Sequence, residues 1–383
     1  MSIVLAILLV FPILLYWLDM RWTLSVLQVG AFSSVFFATR RISHPVLWTL
    51  LAPGFIAAVQ LVSGSTIYAY PTWEALLTSV TNAALFWVSL QILSHRVRQP
   101  FLQGLALFAA AMAVVATLQL FTADGLVYWL FPVEYRDSLM GPFLNRNQYA
   151  AWIELLFPIS LLCALRDHQR RLLWAGAAAA MYASVIASAS RAGAALVTIE
   201  LITVLVLAYR REFLDRRTFV VVVSTLAAFT IVFTALVGWD RLQTRLERRD
   251  VFETRRDLTS ATLEMIQARP LLGYGLGNWA TAYPAHASVD DGRYANQAHN
   301  DWLQSFAEGG ILNLLALAAF ALLIFRPAIS SIWGVGILAF LLHGLVDYPL
   351  QKPILTAWMS VLAGALAASE TQTTPGTWCP SPN

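Results

Sequence analysis

The sequence predicts an all-α protein that spans a membrane many times. Of its 383 residues, 58% are hydrophobic and only 12% are charged, whereas soluble domains are roughly a quarter charged. The mean hydropathy is +0.64. A soluble fold could not bury this much apolar surface, so we infer that a bilayer surrounds most of the chain. We expect no nucleic-acid partner.

Twelve stretches are apolar enough over the length of about 20 residues that a transmembrane helix needs. They are residues 2–18, 22–39, 45–62, 73–94, 101–122, 148–165, 172–189, 192–209, 218–238, 310–325, 329–346 and 353–369. The first stretch lacks a basic flank and a cleavage site of small residues. We therefore interpret it as an uncleaved span rather than a signal peptide.

These spans divide the chain into four parts. Residues 1–238 carry the first nine spans, and residues 310–369 carry the last three. Between them, residues 239–309 form a polar stretch much longer than an ordinary helix connection, and we expect short helices within it. The tail, residues 370–383, is polar and rich in proline, which predicts disorder.

The basic residues predict the orientation, because cytoplasmic loops carry an excess of arginine and lysine. With the N-terminus in the cytoplasm, twelve basic residues lie in cytoplasmic connections and five in the short connections on the other side. The twelve are Arg40, Arg41, Arg96, Arg98, Arg166, Arg170, Arg171, Arg210, Arg211, Arg216, Arg217 and Arg326. The five are Arg21, Arg136, Arg146, Arg191 and Lys352. Both termini are therefore predicted to be cytoplasmic, and the polar stretch to face outward.

Five polar segments lie on the predicted outward side. They are Gly141–Ala150 (GPFLNRNQYA), Ser188–Gly193 (SASRAG), Arg255–Gly275 (ending in PLLGYG), Ala298–Gly310 (beginning AHNDWLQ) and His343–Gln351 (HGLVDYPLQ). In this order they resemble the bacterial O-antigen ligase and polymerase family of polytopic membrane glycosyltransferases. The resemblance covers roughly residues 140 to 350.

The resemblance implies transfer of a glycan, with inversion, from an undecaprenyl-diphosphate carrier to an acceptor hydroxyl. A ligase would use lipid A-core or another glycolipid as acceptor, and a polymerase a second carrier-linked glycan. The reaction would occur on the periplasmic side of the bacterial inner membrane, without a metal or other cofactor. The implied partners are the lipid-linked donor, the acceptor and membrane lipids. The motifs do not separate ligase from polymerase.

The resemblance also implies which residues form the site. His299 would be catalytic, and Arg191 with Arg255 or Arg256 would bind the diphosphate; the spacing of the following residues favours Arg255. A neutral imidazole can accept the proton of the acceptor hydroxyl near neutral pH. The planar guanidinium group of arginine matches phosphate oxygens.

The residues alone leave other readings open. If residues 298–308 are helical, His299 lies on the apolar face and could be either a buried structural histidine or a sheltered base. Arg191 could lie at the membrane interface without a substrate. Arg255 and Arg256 could pair with the neighbouring aspartate.

Three further residues are candidates for a donor or acceptor groove: Arg146, Asn300 and Asp347. Arg146 could instead anchor the sixth span. Asp347 could orient His343 or Lys352. The glycine-rich turn that follows Arg255 in the third segment is expected to fold over the site.

Two other functions remain open. A metal-dependent polyprenyl-phosphate-sugar transferase would need acidic residues in the first outward loop, where Asp19 is the only one. A transporter of lipid-linked glycans would place polar residues within the membrane, and in the predicted spans Glu154 and Glu200 are the conspicuous examples. Asp290–Gly292 is typical of a turn rather than of a metal site, so we expect no metal ligands.

Overall fold

The computed structural model describes residues 1–18, 20–38, 43–133, 139–211, 250–288 and 294–370, together with residues 216, 217, 220 and 224. Apart from those isolated positions, the predicted ninth span lies outside the described residues. The same holds for residues 239–249 of the polar stretch, the turn at 290–292 and the tail after residue 370.

The described residues form fourteen α-helices, α1 to α14. Helices α1 to α7 are Ser2–Leu14, Arg21–Val35, Pro45–Ser63, Ala69–Ile92, His95–Thr122, Arg146–Glu154 and Phe157–Arg166. Helices α8 to α14 are Arg171–Ala187, Arg191–Arg210, Asp250–Ala268, Trp279–Ala282, Asp301–Ser331, Val335–His343 and Pro353–Glu370. Short 3₁₀ turns cover Tyr283–Ala285 and Pro349–Gln351. The strands β1 (Leu126–Val127) and β2 (Phe131–Pro132) form an antiparallel hairpin.

The chain is an all-α membrane protein, as the sequence predicts. Within the described residues, six helical segments are long and apolar enough to cross a membrane. They are Pro45–Ser63, Ala69–Ile92, His95–Thr122, Arg146–Arg166, Arg191–Arg210 and Asp301–Ser331. Helices α1, α8 and α14 are apolar but shorter. The expected number of twelve spans therefore stays a prediction.

Three predicted spans have different helix boundaries in the structure. The sixth, residues 148–165, breaks between α6 and α7, because Pro158 has no N–H to bond the carbonyl of Glu154. The tenth begins nine residues early, since α12 starts at Asp301 and continues to Ser331. The eleventh therefore shrinks to the nine-residue α13, after a break at Ile332, whose φ is +68°.

Residues 250–288 and 294–300 fold over one end of the bundle and are called the cap. Helix α10 and the short α11 pack together through Leu258, Met265 and Trp279. Gln60, near the end of α3, fastens the cap to the bundle. Its amide nitrogen donates to the carbonyls of Leu272 at 2.6 Å and Glu308 at 2.8 Å.

Close helix packing brings the starts of α6 and α9 together beneath the cap. A Cβ added at Gly193 would lie 2.4 Å from that of Ala150. Small residues at such contacts let helices in a membrane approach closely. Arg191 and Arg146, which begin these helices, therefore share the cap end of the bundle. At the opposite end, Arg211 donates to the carbonyl of Ile329 at 2.9 Å.

Candidate active site

His299 lies in the turn immediately before α12. Its φ is +53°, in the left-handed region. Asn300 is the N-cap, and its side-chain oxygen accepts from the N–H of Leu303 at 3.0 Å. The expectation that His299 lies on the apolar face of a helix over residues 298–308 is therefore wrong. The helix starts at Asp301, three residues later than residue 298, so His299 precedes the helix.

The side chain of His299 points to the carboxylate of Asp347. Nδ1 donates to Oδ1 at 3.2 Å. The imidazole also stands edge-on to the ring of Tyr348, with 4.8 Å between centroids. Asp347 is 2% exposed at its side chain, whereas His299 is 29% exposed. The pair, called the dyad below, therefore has a buried acid and a histidine that a substrate can reach.

Asp347 is held by further hydrogen bonds. Its Oδ1 accepts from the N–H of Tyr348 at 2.9 Å, and its Oδ2 accepts from the side-chain amide of Asn147. Burial by itself would raise the pKa of the Asp347 carboxyl. The hydrogen bond and charge of His299, together with the charges of His343 and Arg255, lower that pKa below its ordinary value. Asp347 is thus a carboxylate at neutral pH.

Asp347 orients His299 rather than His343 or Lys352. His343 donates from Nδ1 to the carboxylate of Glu154, at 2.9 Å to Oε1. The ammonium of Lys352 lies 5.6 Å from the centre of the Tyr348 ring. Burial raises the pKa of Tyr348 to about 12, so this neighbouring phenol stays protonated and cannot serve as the base.

The start of α12 is bonded to the loop that carries Asp347. The N–H of Asp301 donates to the carbonyl of Gly344 at 2.7 Å, and the carboxylate of Asp301 accepts from the N–H of Leu350 at 2.7 Å. Asn300 donates to the carbonyl of Leu345 at 2.9 Å. Asn300 therefore joins two loops and fixes the position of His299 relative to the loop that carries Asp347. Asp301 is not among the site residues predicted from the sequence, because its only local signal is an acid in a first helical turn.

The arginines occupy different positions around the dyad. Arg255 is half-buried on α10, and its charge acts on both Asp347 and His343, whereas the adjacent Arg256 is exposed. Arg191 is exposed at the start of α9, and Arg146 is half-buried at the start of α6. The structure thus brings His299, Asn300 and Asp347 together with Arg255, while Arg256 lies on the outer face of α10.

A second polar pair lies within the bundle next to the dyad. Glu154 and His343 are both fully buried and bonded to each other. The N–H of Asp347 donates to the carbonyl of His343 at 3.0 Å, which links this pair to the dyad through one turn of backbone. Among the described residues, neither carboxylate oxygen of the buried Glu200 has a hydrogen-bond partner.

The glycine-rich turn after α10 lies against α12 rather than over His299. Gly273, Gly275 and Gly277 all have positive φ. The N–H of Gly277 donates to the carboxylate of Glu308 at 2.9 Å. In the part of the chain that the structure describes, no three His, Cys, Asp or Glu side chains are grouped as metal ligands.

Residues 176–318 match a protein-family model described as O-antigen ligase. This stretch of the chain is therefore similar to O-antigen ligases. The match covers more than a third of the chain, from α8 through the cap to the middle of α12, and so includes His299 and Arg255 but not Asp347. The resemblance inferred from the sequence motifs is confirmed. The family comprises O-antigen ligases and polymerases, which are glycosyltransferases. No curated protein matches the chain.

Proposed function

We propose that this protein transfers a glycan from an undecaprenyl-diphosphate-linked donor to an acceptor hydroxyl, with inversion and without a metal ion. The observation that carries the proposal is the dyad. A partly exposed histidine is oriented by a buried carboxylate, with the charge of Arg255 acting on that carboxylate. The reaction would take place at the cap end, on the periplasmic side of a bacterial inner membrane, with both termini in the cytoplasm.

In this proposal, His299 is the general base. Asp347 accepts a hydrogen bond from Nδ1, so the other ring nitrogen, Nε2, is left to accept a proton. The acceptor hydroxyl gives its proton to Nε2 as its oxygen attacks the anomeric carbon of the donor sugar. The bond from that carbon to the diphosphate oxygen breaks, and the diphosphate leaves with the electron pair. The carboxylate of Asp347 stabilises the imidazolium that results.

Arginines neutralise the departing diphosphate in this mechanism. Arg255 is the nearer candidate, and Arg191 and Arg146 lie at the same end of the bundle. The guanidinium group donates two parallel hydrogen bonds to phosphate oxygens and is always charged. It can therefore supply the positive charge that a divalent cation provides in other transferases. Stabilisation of this developing charge is usually the largest contribution to the rate.

Ligase and polymerase share this chemistry and differ in the acceptor. A glycolipid such as lipid A-core would make the protein a ligase, and a second carrier-linked glycan would make it a polymerase. The buried Glu154–His343 pair favours a further alternative, because ionisable side chains within a membrane often mark a transport path. A transporter would move the lipid-linked glycan across the membrane without forming a glycosidic bond.

The decisive variant is His299→Ala. Removing the base should lower transfer by about 100-fold or more, while the arginines keep binding of the carrier-linked donor within about twofold of wild type. Purified protein in lipid nanodiscs is assayed with EDTA present, following both the new glycosidic bond and donor binding. His286→Ala is the matched control, since this cap histidine is bonded to the hydroxyl of Tyr274 at 2.7 Å rather than to Asp347.

Each part of the proposal has its own contrary outcome. If a folded His299→Ala protein transfers the glycan at the wild-type rate, His299 is a packed side chain and not the general base. Loss of wild-type transfer in EDTA, restored by Mg²⁺ or Mn²⁺, would refute the metal-independent mechanism. If the protein moves the donor across the membrane of a vesicle without forming a glycosidic bond, it is a transporter rather than a transferase.

A further inference from the structure

A cavity lies inside the bundle, beneath the cap. Its volume is about 430 Å³, and its walls come from α3, α4, α12 and α14 together with the loops at the cap end. Along α12 it extends from Gln304 to Phe320, roughly 24 Å of helix at 1.5 Å per residue. It is therefore long enough for part of a sugar chain and part of a lipid chain.

The upper end of the cavity adjoins the dyad on two sides. Gln297, which lines the cavity, precedes His299 by two residues and accepts from the side chain of Gln304 at 2.5 Å. On the other side, Leu350 and Gln351 line the cavity and closely follow Asp347 in the chain. A molecule bound in the cavity could therefore present a hydroxyl group to His299.

Neutral hydrogen-bonding groups line this upper end. They are the amides of Asn296, Gln297, Gln304 and Gln351 and the phenol of Tyr70. Each amide both donates and accepts, which matches the hydroxyl groups of sugars. Among the described residues that line the cavity there is no Lys, Arg or His. The upper end therefore suits an uncharged glycan.

The two carboxylates of the lining make an anion unfavourable there. Glu74 is paired with Arg21 at 2.9 Å. Glu308 accepts from the N–H groups of Gly277 and Trp279, each at 2.9 Å. Both carboxylates are already paired with donors of the protein. The described residues of the lining therefore offer no unpaired positive charge that could bind a diphosphate. The three arginines proposed for that group lie on α6, α9 and α10, none of which lines the cavity.

The lower end of the cavity combines a set of large apolar side chains with neutral polar ones that are bonded to each other, such as Asn82, which donates to Thr356 at 3.0 Å. Leu50 and Pro53 of α3 face Leu317 and Phe320 of α12, with Met359 of α14 alongside. A hydrocarbon chain can pack against these apolar side chains without the cost of removing a sugar or a phosphate from water. The lower end therefore suits an alkyl or prenyl chain.

We infer that this cavity binds the acceptor, as a lipid-linked glycan whose uncharged sugar contacts the amides next to His299 and whose chain enters the lower end. This inference rests on the proposed function, because it assigns one of the two substrates. The donor diphosphate would then reach His299 from the side of α6, α9 and α10. The two substrates thus meet at the dyad from different faces of α12.

Cavity-filling variants test the assignment by kinetics. Ala316→Trp on α12 fills the cavity from one wall, and Thr78→Leu on α4 is a milder change on the facing wall. Each should raise the KM for the acceptor, tenfold or more for Ala316→Trp, with the KM for the donor and kcat within twofold. Leu315→Trp is the matched control, since Leu315 is 55% exposed and lies outside the cavity. A raised KM for the donor in the cavity variants, or no change in either KM, would overturn the inference.

Photolabelling gives a readout that does not need transfer. The probe is an alkyl maltoside with a diazirine in its chain, added to the protein in phosphatidylcholine nanodiscs. Labels should be found on cavity residues of α4 and α12, and should fall at least fivefold in Ala316→Trp but not in Leu315→Trp. Equal labelling of both variants would overturn the assignment, as would displacement of the probe by undecaprenyl diphosphate. Absence of transfer by wild type would instead refute the proposed function.

Discussion

At the scale of single residues, the site depends on an unusual backbone conformation at His299. A non-glycine residue with positive φ costs about 1 kcal/mol or more, so the surroundings must fix it. The cap at Asn300 and the two bonds of Asp301 supply that restraint. They hold Nδ1 of the imidazole against Asp347 and leave Nε2 outside that hydrogen bond, as a general base requires.

Asp347→Asn tests whether the carboxylate supports the histidine. The change should lower kcat by about 100-fold, since it removes the charge that stabilises an imidazolium. The pKa of Asp347 is depressed in the folded protein. Its contribution to stability is therefore complete above the unfolded value near 4 and is lost as pH falls through the lower folded value. The melting temperature of Asp347→Asn should fall below that of wild type at pH 7, with a smaller difference below pH 4.

The matched change, Asp167→Asn, lies at the far end of α7, where the carboxylate caps the N–H of Arg170 at 3.0 Å. It should leave kcat within twofold of wild type. If both aspartate variants lose activity equally, or if Asp347→Asn keeps wild-type kcat, the supporting role of Asp347 is wrong.

Adjacent arginines on α10 provide a second residue-scale test. Arg255→Ala should weaken binding of the carrier-linked donor by tenfold or more, because it removes charge next to the dyad. Arg256→Ala should change it by less than twofold, because that side chain is exposed. Arg255→Lys should recover the affinity only in part, since an ammonium lacks the planar fork. Titration of the three purified variants with the donor measures their affinities. A larger loss of affinity in Arg256→Ala than in Arg255→Ala would reverse the assignment.

At the scale of elements, α12 connects the dyad, the cap and the cavity. Its start carries Asn300 and adjoins His299, its upper half bonds to the cap, and one face lines the cavity. The helix is kinked at Gly310, where φ is +69° and ψ is −171°. At the kink the N–H of Ile311 donates to the carbonyl of Pro270 at 2.9 Å, so the backbone bond lost within the helix is made to the cap.

Gly310→Ala should destabilise the protein by several kcal/mol. A Cβ at this position would lie 1.9 Å from the carbonyl oxygen of Leu271, and φ is unfavourable for alanine. Gly104→Ala is the control, since Gly104 is helical with open space around it, and it should raise stability by up to about 1 kcal/mol. Thermal unfolding in detergent compares the two. A Gly310→Ala protein as stable as wild type would mean that the kink is not fixed by contact with the cap.

The short helix α13 contributes through its last residue. His343 ends the helix and bonds to Glu154 of α6, so a buried polar contact joins the two elements directly beneath Asp347. Removing one partner of such a buried pair typically costs about 3–5 kcal/mol, because the other is left without compensation. This contact therefore fixes α13, and with it the loop that positions Asp347, relative to α6.

At the scale of the whole molecule, the bundle separates two ends. The cap, the starts of α6 and α9 and the Asp347 loop share one end, and Arg211 with the last turn of α12 lies at the other. The predicted outward motifs are thus on a common side, as the arginine bias requires. A transferase that uses two lipid-linked substrates needs this arrangement, because both substrates must reach one face of the bilayer.

Reporter fusions test the orientation. An alkaline phosphatase, which folds only in the periplasm, should be active when fused after Ala287 in the cap. The same enzyme should be inactive when fused after His168, between α7 and α8. Cell fractions checked for equal amounts of each fusion protein give the comparison. Activity at His168 without activity at Ala287 would place the cap in the cytoplasm.

The sequence by itself determined that this protein is surrounded by a membrane and that it resembles O-antigen ligases, and it predicted which stretches carry the proposed site. Hydropathy is a local property, so the apolar stretches could be recognised without any knowledge of packing. The ordered motifs were sufficient to predict the similarity to O-antigen ligases, and they included His299 and Arg255. Helix ends were less predictable, as α13 shows, because they depend on caps and breaks as well as on composition.

Tertiary structure alone decided the partners of these residues. Asp347 bonds to His299, 48 residues away, and His343 to Glu154, 189 residues away. No periodicity carries such information, because contacts between distant segments arise only when helices pack. The same packing distinguishes Arg255 from its neighbour, since Arg255 is half-buried and its charge acts on Asp347, whereas Arg256 is exposed. It also formed the cavity, whose walls bring α3 and α4 together with α12 and α14 from the other end of the chain.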